Sequence, residues 1–123
     1  MSHRPRKRFG QNFLHDQHVL DRIMAAAEFE EHDRILEVGP GPGALTSRLL
    51  ATGLPVLAVE IDRDLAAALQ EREEPNLEVV VGDVLRIDWS ELLQNPPYKL
   101  VANLPYNISS QILFKALEYR HVF

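Results

Sequence analysis

The sequence predicts an α/β fold, a parallel sheet covered by helices on both faces. Three observations carry this. Short apolar stretches recur along the chain: Arg34–Val38 (RILEV), Pro55–Ile61 (PVLAVEI), Leu77–Val81 (LEVVV) and Lys99–Asn103 (KLVAN). Helical patterns separate them. The stretches are mostly apolar rather than alternating, as expected of strands buried on both sides.

Each element has a local reason. Asp16–Phe29 reads as a helix, because Val19, Leu20, Ile23, Met24 and Ala27 form one apolar stripe and Asp16 suits an N-cap. Strand Arg34–Val38 runs into a glycine-rich turn and then a helix over Ala44–Ala51. Strand Pro55–Ile61 precedes a helix from Arg63 to Arg72. Leu77–Val81 ends at Gly82-Asp83. Trp89–Leu93 reads as a short helical turn before Pro96-Pro97. After strand Lys99–Asn103, Ser109 or Ser110 is expected to cap a last helix running toward Tyr119.

At 123 residues the chain has the size of one ordinary domain. It has no cysteine, which removes disulfides, thiolate metal sites and cysteine nucleophiles. Its apolar runs fall well short of the roughly 20 residues needed to span a bilayer. No apolar run follows the basic N-terminus, so no secretory signal is read there, and a cytoplasmic protein without membrane association is expected. Net charge is −5, unevenly placed. Arg4, Arg6, Lys7 and Arg8 meet no acid within the first fourteen residues, leaving nine basic and 18 acidic residues for the rest. A basic arm on an acidic body suits phosphate contacts by the arm and a neutral or cationic ligand on the body; a merely solvated tail has the same composition.

In open parallel sheets, ligands bind beyond the carboxyl ends of the strands. Those ends hold the unusual residues here: Glu37-Val38-Gly39, Glu60 and Asp62, Gly82-Asp83, and Asn103–Tyr106. Gly39, Gly41 and Ala44 satisfy G-x-G-x-x-A, with Glu60 about 20 residues on, as in dinucleotide sites. A tight strand–helix turn without a ligand has the same pattern. Pro40 and Pro42 remove two backbone donors, which makes a poor pyrophosphate cradle, and no Gly-Lys-Ser/Thr follows.

Glu37-x-Gly39-x-Gly41-x-Gly43 resembles motif I of S-adenosylmethionine (SAM)-dependent methyltransferases. SAM has no phosphates and carries positive charge, so an acidic rim of Glu37, Glu60 and Asp83 suits it better than NAD. Glu60 has two oxygens for two ribose hydroxyls. The resemblance gives Asp83 the adenine amino group; a plain turn residue after Gly82 is the alternative. The implied fold is the Rossmann-like class I methyltransferase fold, with about four strands present.

Asn103-Leu104-Pro105-Tyr106 resembles the (N/D/S)-(P/L/I)-P-(Y/F/W) motif of enzymes that methylate exocyclic base amines. An adenine N6 is a poor nucleophile because its lone pair is delocalised. The Asn103 side-chain oxygen and the Leu104 carbonyl can accept its two N–H bonds and stabilise charge developing on nitrogen. Pro105 fixes the turn, and Tyr106 offers a face to an unstacked base.

Together with Lys7–Leu14 (KRFGQNFL) and Asn103–Ser109 (NLPYNIS), these motifs are similar to those of KsgA-type ribosomal small-subunit adenine dimethyltransferases. The resemblance implies that Asn12 and Leu14 contact SAM. Gly39, Gly41, Glu60, Asp83 and Asn103 complete that pocket. The same resemblance places Arg4, Arg6, Lys7 and Arg8 on rRNA phosphates of an immature small subunit. Erm-type large-subunit rRNA methyltransferases share part of this pattern. An NAD-dependent oxidoreductase and a non-catalytic RNA-binding assembly factor are further alternatives, and the first leaves Asn103–Tyr106 unexplained. A complete member of the family continues with more strands and a helical domain and is expected to be monomeric. Residues 1–14 are therefore expected to form a basic arm and SAM-covering segment, and 15–123 the N-terminal portion of the methyltransferase domain. Alone, this portion is expected to be marginally stable and inactive, exposing Ile112, Leu113 and Ala116.

Overall fold

The computed structural model describes residues 16–102 and 106–123; of Tyr106 and Asn107 it describes the backbone course only. The elements in chain order are α1 (Gln17–Ala27), β1 (Arg34–Val38), α2 (Ala44–Leu50), β2 (Val56–Glu60), α3 (Arg63–Gln70), β3 (Leu77–Val81), α4 (Trp89–Leu92), β4 (Tyr98–Ala102) and α5 (Tyr106–Glu118). A single turn of 3₁₀ helix follows at Arg120–Val122. The four strands form one sheet in the order β3-β2-β1-β4, with every pair parallel. The chain thus moves from β1 outward to β3, then returns to lay β4 on the far side of β1. The reversal makes the β1–β4 seam the topological switch point, where ligands enter sheets of this kind.

The core is two-sided, as the apolar strands require. On one face Leu36, Val38, Leu57 and Val59 meet Trp89, Leu93, Ile112 and Val122. On the other, Ile35, Val56 and Val101 meet Leu20, Leu45, Leu49 and Leu50 from α1 and α2. Central strand β2 is buried along its whole length, whereas edge strand β3 is only partly covered. Arg48 of α2 also reaches Asp21 and Gln17 of α1 across the outer surface.

Local chemistry places the boundaries. The Asp16 carboxylate caps α1 by accepting the His18 and Val19 N–H groups, and Asp62 does the same for Asp64 and Leu65 at α3. Strand β2 starts one residue later than expected, after Pro55, which has no N–H to give to a ladder. Helix α5 departs more clearly. It begins at Tyr106, about a turn before the expected cap at Ser109 or Ser110, and so brings Ile108, ahead of both serines, into one inward stripe with Ile112 and Ala116. The same phase corrects the expected exposed surface. Ile112 is buried and Ala116 packs against the core, while Leu113, Phe114 and Leu117 face outward, 58, 67 and 52 % exposed.

Candidate functional site at the carboxyl ends of the strands

The glycine loop between β1 and α2 is held from below by Glu60. One carboxylate oxygen accepts the Gly41 N–H at 2.9 Å and the other accepts the Asp62 N–H at 2.9 Å. A buried carboxylate at the end of β2 therefore fixes both the loop and the entry to α3. Each oxygen keeps a second lone pair for a ligand hydroxyl. Gly43 has φ +95°, and a Cβ there would meet Leu69 Cδ2 at 2.9 Å and Arg72 Nη1 at 3.0 Å. Gly41 also has positive φ, +56°, but open space where its Cβ would stand. One glycine admits close packing of α3, and the other lets the loop backbone turn toward the open side.

Glu37 is not on the rim. Strand pleating turns it toward α2, where it is buried and accepts the Thr46 hydroxyl at 2.6 Å. Burial pushes its carboxyl up to about 7. The Thr46 hydrogen bond opposes that rise, nearby Glu60 adds to it, and Arg72 opposes it. Arg72 itself donates to Ser47 Oγ at 2.9 Å, on the first turn and a half of α2. Of the expected acidic rim, Glu37 thus lies beneath the loop with its carboxyl raised to about 7, Glu60 is buried under the loop as well, and Asp83 is the more exposed acid.

Asp83 lies where the loop after β3 leaves the sheet, and the Gly82 N–H bonded to the Glu60 carbonyl at 2.9 Å ties that loop to the end of β2. One Asp83 oxygen accepts the Leu85 N–H at 2.9 Å; the other is 3.7 Å from the exposed Arg86 guanidinium. Asp83 is therefore a turn former whose second oxygen faces that guanidinium at the surface. Ile61, the residue after Glu60, is 68 % exposed, a large apolar side chain left uncovered at a strand end. Sequence reasoning took Ile61 for the last strand residue, and only the sheet register shows it beyond the ladder. Thr46 and Arg72, which support Glu37 and the loop, gave no sequence signal either.

Strand β4 ends at Ala102, paired with Val38 just before Gly39. Asn103, Leu104 and Pro105 lie outside the described residues, as do Arg4, Arg6, Lys7, Arg8, Asn12 and Leu14; Tyr106 enters only as the first residue of α5. A cavity of about 530 Å³ opens at the opposite edge, among Arg34, Val56, Leu77, Glu78, Asn95 and Tyr98. It lies at the strand starts, away from the glycine loop and both acids. Among the described residues no cluster has the makings of a metal site, and no helix is long and apolar enough to cross a membrane.

Residues 2–123 match the protein family described as Ribosomal RNA adenine dimethylase. The chain belongs to this family. Along its whole length it is 61% identical to Ribosomal RNA small subunit methyltransferase A of Syntrophotalea carbinolica, of which it covers 47%. The chain spans somewhat under half the length of the curated relatives it matches. Among solved structures it is similar to a dimethyladenosine transferase from Plasmodium falciparum, with TM-score 0.71 and 33% identity, covering 88% of this chain and 39% of that one. It is also similar to the 23S rRNA methyltransferase ErmE, with TM-score 0.74 and 39% identity over 87% of this chain and 43% of that one. A more distant likeness, TM-score 0.54 and 27% identity over 64% of this chain and 36% of the other, is to the N-terminal domain of EvdMO1 with SAH (S-adenosylhomocysteine) bound. The sheet is thus that of a Rossmann-like class I methyltransferase, as the glycine loop implied. In this member of the adenine dimethylase family, the glycine loop, Glu60 and Asp83 follow one another at the carboxyl ends of β1, β2 and β3.

Proposed function

We propose that this chain is the cofactor-binding part of a SAM-dependent enzyme that dimethylates adenosine N6 in small-subunit rRNA. The observation that carries the reading is the pairing of buried Glu60 under the glycine loop with Asp83 tied beside it, at the carboxyl ends of β2 and β3 next to the loop that leaves β1. An adenosine needs acceptors for two vicinal hydroxyls, an acceptor for its amino group and apolar cover for its purine. Glu60, Asp83 and Ile61 supply these in that order. The family match and the 61% identical small-subunit methyltransferase support the substrate class.

Bound SAM supplies an electrophilic methyl group on a sulfonium. The protein's own part is to orient the nucleophile and favour charge on it. In the family resemblance the Asn103 oxygen and the Leu104 carbonyl accept the two N–H bonds of the target N6, and Tyr106 supports the base. As the N–C bond forms and the S–C bond breaks, nitrogen becomes positive, so acceptors at that point stabilise the transition state more than the ground state. The methylated ammonium loses its proton to water. One N–H remains for a second round. Arg4, Arg6, Lys7 and Arg8 are assigned to rRNA phosphates, with Asn12 and Leu14 covering the cofactor. The acting species is taken as a cytoplasmic monomer on immature subunits.

The test is methyl transfer by the full-length polypeptide from labelled SAM to immature small subunits, followed by nucleoside analysis. Dimethyladenine in the small-subunit rRNA is expected, with Asn103→Ala lowering the rate about 10²-fold or more. Methylation confined to large-subunit rRNA would favour the Erm-type reading, and transfer to no rRNA would refute both.

A further inference from the structure

Lys115 lies on α5, nine residues after the helix begins at Tyr106. Its ammonium donates to three backbone carbonyls of one loop: Val84 at 3.3 Å, Leu85 at 3.0 Å and Ile87 at 2.7 Å. Three donors meet three acceptors; the nearest carboxylate it influences, Asp88, feels its charge without a hydrogen bond among the described residues. The charge also stands 5.4 Å from the centroid of the Trp89 ring, whose Nε1–H donates to the same Val84 carbonyl at 2.8 Å. A lysine spent wholly on loop carbonyls is an unusual use of a long, mobile side chain, since fixing it costs rotamer entropy.

The loop it holds is the one that carries Asp83. Its N–H groups point back to that residue: Leu85 to the Asp83 carboxylate, Arg86 and Ile87 to the Asp83 carbonyl at 2.9 and 3.1 Å. Its carbonyls point forward to Lys115. The turn is therefore clamped between the aspartate at one end and the ammonium at the other. Without the ammonium, three carbonyls converge with no cation to offset their dipoles, and the turn would open toward water.

We propose that Lys115 is a positioning residue that sets the Asp83 carboxylate for a purine amino group. It thereby joins the adenine end of the cofactor crevice to the helix that follows the base-holding motif. The inference rests on the reading of Asp83 as the adenine acceptor.

The test measures, in the full-length polypeptide, affinities for SAH and for its inosine counterpart, which has a carbonyl where adenine has its amino group. Wild type is expected to prefer SAH. In Lys115→Met, which keeps the stem against Trp89, the preference is expected to fall about tenfold, with Lys115→Gln falling less. In an Asp83→Ala background, Lys115→Met should leave the remaining preference unchanged, because the group it positions is gone. A general loss of stability would weaken both ligands alike and leave the ratio intact. An unchanged ratio in both lysine variants overturns the proposal while leaving the cofactor reading standing; wild-type protein that binds neither ligand overturns the cofactor reading and this proposal with it. Independently of any ligand, the Leu85 and Ile87 amides should exchange about tenfold faster in Lys115→Met, and unchanged exchange would also overturn it.

Discussion

Glu37 and Glu60 lie on the same face of adjacent strands, yet they have different work. Glu60 accepts two backbone N–H groups, one on each carboxylate oxygen, while Glu37 is sealed against Thr46. Its carboxyl ionises near the ordinary 4.5 in the unfolded chain and near 7 when folded. Between those values the folded state holds more protons, so stability must fall as pH rises through that window and level off above it. The loss amounts to at most about 3 kcal/mol. Glu37→Gln, which keeps an acceptor for Thr46, should therefore melt higher than wild type at about pH 8 and no higher at about pH 4. Urea melts across pH check this, and parallel curves for the two proteins would contradict the burial argument. The two loop glycines separate in the same way. Gly43→Ala meets both a left-handed backbone and Leu69, and should cost about 2–3 kcal/mol. Gly41→Ala meets the backbone term alone and should cost about 1 kcal/mol. Equal melting shifts would show that the contact with α3 does not matter.

Among the elements, α5 carries most of what the sequence did not reveal. Its helical period was visible, but the phase of that period was not, because Ile112, Leu113, Phe114, Ala116 and Leu117 are all apolar. Lys115 supplies no hint of its three carbonyl partners, since they lie about 30 residues earlier in the chain. The strands were easier. Their apolar runs stop at Gly39, Asp62 and Gly82, so their ends were marked by residues a ladder disfavours. The orientation of Glu37 stayed hidden because β1 is buried on both faces and shows no polar alternation to betray which side a residue takes. The outward face of α5 has a measurable consequence. Leu113, Phe114 and Leu117 form an uncovered apolar stripe on the 123-residue chain. That chain should self-associate with rising concentration in light scattering. Phe114→Lys with Leu117→Glu should suppress this while moving stability by less than about 1 kcal/mol. Unchanged association would place the contact elsewhere.

Across the whole molecule, the placing of Gly39, Gly41, Glu60 and Asp83 at one edge was legible from the sequence, because strand ends and ligand sites coincide in open parallel sheets. The order β3-β2-β1-β4 adds the reason those ends converge: the reversal at β1 brings the glycine loop beside the end of β4. What binds at that end of the sheet separates a methyltransferase from a dehydrogenase most directly. Calorimetric titration of the full-length polypeptide with SAH, with NADH in parallel, measures it. We expect one SAH site per chain, weakened at least about tenfold in Glu60→Ala, and no heat from NADH. Binding of NADH with none of SAH would contradict the account.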